Sequence, residues 1–322
     1  MKKFLPLLPL VAVCLFACGA AEQVEPAQTS DVLETTSDAT ASQASVSKGA
    51  AFQPVGAVDV STMSTPEDAP DDWRAVAANQ LVVLKTAHGV TLIELAPQFA
   101  PGHTARIQAL ASNEYFVGMP FHRVLKGFMA QAGDNKLVGR PEPTTENLTA
   151  EFRFRRSPNM KMIVTGERRS AEAGFIDGFN VASQNPALAM MTADGKVDAW
   201  SLHCPGAAAA ARLGNDINSA NAQFYITMGY PEALDKNYTV WGRVRAGLPA
   251  IFRIKRGEPV IPPDLIEQFA LVSGLDAANA PLVWVMNTNS PAFSAYLETL
   301  KTSSGSLPDV CKIDVPVWVR WP

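Results

Sequence analysis

The chain has 322 residues, which is enough for one large domain or two of ordinary size. Apolar residues make up 47% of the sequence and charged residues 18%, so the chain can bury a packed core. The formal net charge of −4 argues against a nucleic-acid-binding protein, whose electrostatic footprint would be basic.

The N-terminus has the pattern of an export signal, predicted over residues 1–17. Lys2 and Lys3 precede an apolar run that ends at residue 17 and is too short to span a bilayer comfortably. The run closes with LFAC at residues 15–18, which resembles a bacterial lipobox, in which the cysteine becomes the lipid-modified first residue. We therefore expect lipidation at Cys18 and a periplasm-facing lipoprotein of the bacterial cell envelope. The glycine after Cys18 is compatible with the outer membrane, and an ordinary cleaved signal peptide is the alternative.

Residues 18–76 are rich in Ser, Thr, Ala, Asp, Glu and Pro and contain few aromatic residues. Such a segment cannot bury enough apolar surface to order itself, so it is predicted to be a disordered tether. A folded domain is expected over residues 77–272, followed by a C-terminal extension over 273–322 that packs on it. The sequence shows no internal repeat.

Short β-rich runs dominate the predicted domain. Leu81–Thr86 and Val90–Leu95 flank Ala87-His88-Gly89, which is a hairpin signal. Helices are predicted at residues 101–112, where Pro101 opens the first turn, and at 248–254. Further strands are predicted at 121–124, 128–131, 152–154, 161–164, 188–191, 224–227 and 239–244. Many short strands with two helices indicate a mostly β fold that closes, or nearly closes, into a barrel.

Two stretches lie outside this pattern. Residues 193–215 form a Gly- and Ala-rich segment that is predicted to be an inserted connection. The C-terminal extension contains a predicted helix at 292–301 and a final apolar strand at 315–319.

Phe121 to Asp134 read FHRVLKGFMAQAGD, which groups an arginine, a phenylalanine, a methionine and a glutamine without a nucleophile, a carboxylate pair or metal-ligand spacing. Rotation about an X-Pro amide needs only such groups, because it breaks no σ-bond, although its barrier is about 18–20 kcal/mol. In the twisted transition state the proline nitrogen gains a lone pair, which a fixed cation stabilises. An apolar cup for the proline ring and an amide for the substrate backbone complete the requirement.

The same stretch matches every fixed position of the cyclophilin pattern FHR-x-x-x-GFM-x-Q-x-GD. Two later blocks, NSANAQFYIT at 218–227 and LDKNYTVWGRV at 234–244, resemble the family's NGSQFFI and LD-x-x-x-x-VFG-x-V. The resemblance covers about residues 80–272 and implies a closed antiparallel β-barrel of about eight strands capped by two helices. It also implies peptidyl-prolyl cis-trans isomerase activity. The longer form, with EFRFRR and LHCPG, resembles a lipoprotein branch from Gram-negative, alphaproteobacterial envelopes.

The resemblance assigns a role to each matching position. Arg123 corresponds to the catalytic arginine. The substrate site is expected to comprise Phe128, Met129, Gln131, Thr192, Gln223, Tyr225, Leu234 and Tyr238. Thr192 enters this set because ALAMMTA at 187–193 aligns with the family's LSMANA strand, whose main chain pairs with the substrate.

Three positions depart from the family pattern. Tyr225 stands where the family usually has phenylalanine, Ala233 replaces a tryptophan, and Tyr238 replaces a histidine. Ala233 removes part of one pocket wall, and an insertion at 193–215 could lie across the groove. These two features support the alternative of a non-catalytic, cyclophilin-fold proline-binding module or chaperone. A purely structural lipoprotein would leave the three matching blocks unexplained.

Histidines and cysteines complete the candidate residues. Isomerisation needs no proton transfer, and strand alternation places His122 opposite Arg123, so His122 is predicted to be structural. His203-Cys204 has no second ligand pair at metal spacing, so no metal is expected. Cleavage removes Cys14 and lipidation uses Cys18, which leaves Cys204 and Cys311 in an oxidising compartment. We expect a disulfide between them, and two buried free thiols are the alternative.

The sequence therefore predicts a peptidyl-prolyl isomerase of the cell envelope that uses no cofactor, metal or nucleotide. Its expected substrates are X-Pro bonds of unfolded or folding envelope polypeptides. A lipid anchor is the only membrane contact expected, no nucleic acid partner is implied, and nothing requires more than a monomer.

Overall fold

The computed structural model describes residues 62–144 and 146–322. The predicted signal peptide, Cys18 and the expected tether up to residue 61 lie outside the described residues. Within the described part of the chain, no helix combines the length and the apolar character needed to cross a membrane.

The described chain contains three sheets and three α-helices. The helices are α1 (Pro101–Ser112), α2 (Leu248–Arg253) and α3 (Pro291–Thr299). In chain order the strands are β1 (Trp73–Ala75), β2 (Leu81–Thr86), β3 (Gly89–Leu95), β4 (Phe121–Leu125), β5 (Met129–Ala132), β6 (Phe154–Arg156), β7 (Ile163–Arg168), β8 (Ala171–Ile176), β9 (Phe179–Ser183), β10 (Val197–Ser201), β11 (Ala207–Ala210), β12 (Phe224–Thr227), β13 (Val240–Ala246), β14 (Gln268–Leu271), β15 (Leu282–Met286) and β16 (Val317–Arg320).

The largest sheet has eight antiparallel strands in the order β14-β2-β3-β13-β11-β12-β5-β4. It curls into a half-barrel, and β4 does not pair with β14 directly. Residues 257–266 run along β4 instead: Val124 N donates to Gly257 O at 2.9 Å, and Val260 N donates to His122 O at 3.0 Å. The predicted mostly β, cyclophilin-like fold is confirmed, although "closed" slightly overstates how the barrel is completed.

Aromatic side chains fill the interior of this barrel. Phe224 lies at their centre, with its ring centroid 5.1 Å from that of Phe116, 5.5 Å from Phe269 and 6.0 Å from Trp241. All four are fully buried, and burying side chains of this size is the largest favourable contribution to such a core. Both predicted cap helices are present, because α1 begins at Pro101 and α2 at residue 248 as expected.

The second sheet has five antiparallel strands in the order β6-β10-β9-β8-β7 and lies between β5 and β11 in the sequence. It corrects two expectations. Residues 186–191 form a 3₁₀-helix rather than a strand, because Pro186 opens the turn and Asn185 caps it. The segment at 193–215 is not a single inserted connection, because it contains β10 and β11, and β11 belongs to the eight-stranded sheet.

The third sheet joins both ends of the described chain in the order β1-β15-β16. Trp73 of β1 pairs with Met286 of β15, so regular structure begins before residue 77, the start expected from composition. In the C-terminal extension, α3 and β16 lie within two residues of the predicted helix and strand. Phe293 of α3 is fully buried in a cluster that also contains Leu92 of β3 and Phe175 of β8.

A disulfide ties the C-terminal extension to the barrel. Cys204 and Cys311 are bonded, with their Cα atoms 4.9 Å apart and a sequence separation of 107 residues. The structure thus has the expected pair rather than two free thiols. In the chain-entropy model, closing a loop of this length lowers the conformational entropy of the unfolded chain. This stabilises the folded state by about 4.7 kcal/mol before strain is counted.

A buried carboxylate connects all three sheets. Glu94 on β3 is 1% exposed. Its two oxygens accept hydrogen bonds of 2.6 Å from Arg74 of β1 and from Arg245 of β13. The same guanidinium groups also donate to the turn between β8 and β9, Arg74 to Asp177 O and Arg245 to Gly178 O. One side chain therefore holds the eight-stranded sheet, the five-stranded sheet and β1 together.

We expect Glu94→Gln to lower the free energy of unfolding by about 3–5 kcal/mol, because it leaves the guanidinium groups of Arg74 and Arg245 without their counter-charge. Urea denaturation followed by circular dichroism measures the change. The matched control is Glu267→Gln, since the Glu267 carboxylate pairs with Lys85 at 3.6 Å on the surface. This control substitution should lower the free energy of unfolding by less than about 1 kcal/mol. Equal losses in the two variants would contradict this assignment.

Candidate functional site

The hairpin of β4 and β5 positions the residues of the FHRVLKGFMAQAGD stretch. Arg123 pairs with Gln131 across the two strands, and Leu125 pairs with Met129. The Arg123 guanidinium lies 5.8 Å from the Phe128 ring centroid, and its Nη1 lies 3.9 Å from Met129 Sδ. The structure thus brings the cation, the two apolar side chains and the amide together.

An apolar cup lies beside this hairpin, on the outer face of β11, β12 and β13. Met129, Tyr225 and Val240 are buried in it, together with two alanines of β11. Phe128, Leu234 and Tyr238 pack against these residues and are partly exposed. All five apolar residues predicted from the resemblance therefore meet in one place: Phe128, Met129, Tyr225, Leu234 and Tyr238. The small alanine side chains leave the floor open.

A polar cavity adjoins the cup. Gln131 Nε2 donates to Gln223 Oε1 at 3.1 Å. Both amides line a cavity of about 500 Å³, into which Arg212 and Asn221 also face. The two predicted glutamines are thus neighbours, with their remaining donors and acceptors available to a peptide backbone.

Thr192 is not part of this arrangement, so its assignment was wrong. It follows the 3₁₀-helix at 186–191, and its hydroxyl lies within hydrogen-bond distance of two carbonyl oxygens, Ala189 O at 2.9 Å and Lys196 O at 2.8 Å. The strand beside β12 is β11, and the residues next to the glutamines at its end are Ala211 and Arg212. Alanine has a low strand propensity, which hid β11 in the sequence.

Arg212 is a site residue that the sequence reasoning missed. Its guanidinium lies 4.5 Å from the Tyr238 ring centroid, and its Nε donates to Asn237 O at 3.0 Å. It therefore braces the rim of the cup through Tyr238 while it lines the polar cavity. The available signal was its position six residues before the start of the NSANAQFYIT block.

Glu258 is a second missed residue. Its Oε1 accepts a hydrogen bond of 2.5 Å from Arg123 Nε. The backbone fixes this pair, because Gly257 on one side of Glu258 and Val260 on the other are hydrogen-bonded to β4. The Arg123 side chain remains 30% exposed. Its Nε is thus engaged by a carboxylate while its Nη1 lies at the cup.

Burial favours the uncharged form of two titratable rings near the site, those of Tyr225 and His122. Burial raises the pKa of Tyr225 well above its usual value, and the proximity of Tyr238 and Asp235 raises it further. Burial likewise lowers the pKa of His122, in agreement with a structural role. Within the described residues, no group of three or more His, Cys, Asp or Glu side chains could hold a metal ion. The site therefore offers the Arg123 cation beside an apolar cup, a second cation at Arg212 and amide hydrogen bonds.

Known proteins are similar to this chain in sequence and fold. The family model for "Cyclophilin type peptidyl-prolyl cis-trans isomerase/CLD" matches residues 81–269, more than half of the chain. A solved cyclophilin from Hirschia baltica, AquaCyp293, is 34% identical with a TM-score of 0.74, and the match covers 81% of this chain and 99% of that one.

Curated relatives agree with the family match. A probable peptidyl-prolyl cis-trans isomerase from Brucella suis is 29% identical over 214 residues, which is 63% of this chain and 79% of the relative. Peptidyl-prolyl cis-trans isomerase-like 1 of Homo sapiens is 26% identical over 185 residues, 58% of this chain and 82% of the relative. The chain belongs to the cyclophilin family and is a peptidyl-prolyl cis-trans isomerase.

Proposed function

We propose that the protein isomerises X-Pro bonds in polypeptides of the bacterial cell envelope, and that Arg123 stabilises the twisted amide of the transition state. The observation that carries the mechanism is the position of the Arg123 guanidinium, beside both Phe128 and Met129 at the edge of the apolar cup. A proline ring seated in the cup would place its amide nitrogen next to this cation.

The reaction needs electrostatic stabilisation of the twisted amide and needs no nucleophile or general acid or base. Twisting removes C–N resonance and leaves a lone pair on the proline nitrogen, toward which a fixed cation is attracted. This attraction is absent from either planar ground state, so it lowers the barrier selectively. An acceleration of about 10⁵-fold requires that the transition state be stabilised by roughly 7 kcal/mol more than the planar ground state.

The remaining groups bind the substrate. The cup formed around Met129 and Tyr225 accepts the pyrrolidine ring and excludes water, which strengthens the attraction between the Arg123 guanidinium and the nitrogen. Gln131 and Gln223 can hold the flanking backbone by amide hydrogen bonds. The exposed rim of the cup suits an extended, unfolded chain segment.

Glu258 has an orienting role in this mechanism. Because its carboxylate accepts from Arg123 Nε, the planar guanidinium is held with its other nitrogens free for the substrate. The Arg123–Glu258 pair is at the surface, with the glutamate side chain 55% exposed. The pair therefore adds little to stability, and its role is to orient the Arg123 guanidinium toward the cup.

The proposed location follows from the N-terminal sequence. Lys2, Lys3, the short apolar run and the LFAC box support export and lipidation at Cys18. A lipid-anchored, monomeric isomerase would act on unfolded or folding envelope proteins. The non-catalytic alternative loses one of its supports, because β11 is a strand of the barrel and does not cross the groove.

Arg123→Ala should lower kcat/KM by at least about 100-fold while the fold remains intact, because the variant loses the charge that favours the twisted amide. Arg123→Lys should recover only part of this loss, since lysine lacks the planar fork. A protease-coupled assay on an X-Pro peptide measures both. Near-normal turnover by the alanine variant would contradict this mechanism.

Glu258→Ala should lower kcat by about three- to tenfold, because the guanidinium loses the acceptor that orients it. Glu258→Gln keeps an acceptor oxygen and should stay within about threefold of the unmodified protein. Glu267→Ala removes a carboxylate that belongs neither to the cup nor to the polar cavity and serves as the control in the same assay. A faster Glu258→Ala variant would show that the carboxylate restrains Arg123 instead of orienting it.

Cys18→Ser should abolish incorporation of labelled palmitate, because the serine hydroxyl cannot form the thioether of a lipoprotein anchor. Expression in a Gram-negative host, followed by membrane fractionation, tests this. Cys14→Ser changes a cysteine inside the apolar run and should leave labelling intact. If the Cys18→Ser protein still carried palmitate, Cys18 would not be the modified residue.

A further inference from the structure

His203 lies directly behind the apolar cup. Its side chain is 0% exposed. One ring nitrogen, Nδ1, lies 2.9 Å from Asp235 Oδ1, and the other, Nε2, lies 3.1 Å from the Tyr225 hydroxyl. The backbone N of His203 donates to the same carboxylate oxygen at 2.9 Å. Neither the fold nor the reaction described above accounts for this residue.

The two contacts of the ring link three side chains in a row. The carboxylate of Asp235 accepts only, so the hydrogen bond at Nδ1 is donated by the His203 ring. Nε2 shares the second hydrogen bond with the Tyr225 hydroxyl, which burial keeps protonated by raising its pKa. Hydrogen bonds therefore connect tyrosine, histidine and aspartate without a break.

Both partners of His203 carry walls of the cup. The Tyr225 ring is part of the cup itself and lies 5.9 Å from the Tyr238 ring centroid. Asp235 directly follows Leu234, and the backbone N of Tyr238 donates to Leu234 O at 3.1 Å. One histidine thus holds the floor and the outer wall of the cup against each other.

The other side of His203 is held by the C-terminal extension. The adjacent residue, Cys204, forms the disulfide with Cys311. Arg168 lies 3.9 Å from Asp235 Oδ2 and 3.6 Å from Asp309 Oδ1, so it joins the extension to the same carboxylate. The segment that carries the His203 ring is therefore tied to the C-terminal extension by a covalent bond and by the ion pairs of Arg168.

We propose that His203 is a positioning residue that fixes Tyr225 and the Leu234–Tyr238 wall, and thereby sets the affinity of the cup for proline. It does not touch the substrate. The proposal gives a reason for the tyrosine at residue 225, where the family usually has phenylalanine: its hydroxyl is the point of attachment to His203. The inference rests on the isomerase activity of the proposed function.

Positioning predicts a particular kinetic change. The cup contacts the proline ring in the planar ground state and in the twisted transition state alike. Loosening the cup therefore weakens the binding of both states by a similar amount. Such a change raises KM and leaves kcat nearly unaltered. A general loss of stability would instead lower the amount of active enzyme, which lowers apparent kcat and leaves KM unchanged.

The test uses His203→Gln, Tyr225→Phe and the double variant in the full chain, with kcat and KM measured on a chromogenic X-Pro peptide. We expect each single variant to raise KM about three- to tenfold with kcat within about twofold. The double variant should be no worse than the poorer single variant, because both changes remove the same hydrogen bond.

The matched control is His88→Gln. His88 Nε2 lies 2.9 Å from Asp264 Oδ2, and neither residue of this histidine–aspartate pair is among the cup residues, so KM should not change. Tyr225→Phe removes a single oxygen atom and decides the question by itself if His203→Gln does not fold.

Unchanged KM in both single variants, multiplying effects in the double variant, or a fall in kcat at constant KM would each overturn the proposal. The unmodified protein and Arg123→Ala are measured in parallel. Absence of turnover by the unmodified protein would refute the proposed function, whereas normal turnover with unaffected variants would refute the role of His203 alone.

Discussion

The buried carboxylate of Glu94 is the constraint on which the rest of the structure depends. Its charge is acceptable in the interior only because Arg74 and Arg245 both donate to it at 2.6 Å. Each arginine comes from a different strand, and both continue to the turn between β8 and β9. The three sheets are therefore coupled in the folded protein, since none can leave this cluster without leaving a buried charge unpaired.

The functional site depends on the same assembly from its other side. The half-barrel supplies β4, β5 and β12, which carry Arg123, Gln131 and Tyr225. The parts outside the half-barrel supply the support, because Arg168 of β7 contacts both Glu232 and Asp235 in the loop at 232–238 and also donates to Cys311 Sγ of the extension. The additional sheet and the extension are thus structural supports of the site as well as coverings of the barrel.

The sequence predicted the parts of the protein whose pattern is local. The strands at residues 81–95, α1 and the Arg123 hairpin follow from alternation, from Pro101 and from a dense motif. Thr192 was misplaced because methionine and leucine at 188–191 read as a strand, whereas the alanines of β11 do not. The strand that pairs with β12 is selected by packing, because the small alanine side chains of β11 fit beneath the Tyr225 ring.

Contacts between distant segments could not be predicted in this way. Glu94 resembled an ordinary outward-facing strand residue, and its partners lie 20 and 151 residues away in the sequence. Glu258 is brought to Arg123 by backbone pairing over 135 residues. The disulfide was the exception, since elimination among four cysteines left a single pair.

The pairing of β1 with β15 has a consequence for the order in which the protein can fold. Trp73 is synthesised early, yet its partner Met286 and the adjoining strand β16 come near the end of the chain. Cys311 likewise emerges some hundred residues after Cys204. The pairing of β1 and the disulfide beside His203 can therefore form only when the last part of the chain is available. The support of the proline cup thus depends on residues that are not part of the cup itself.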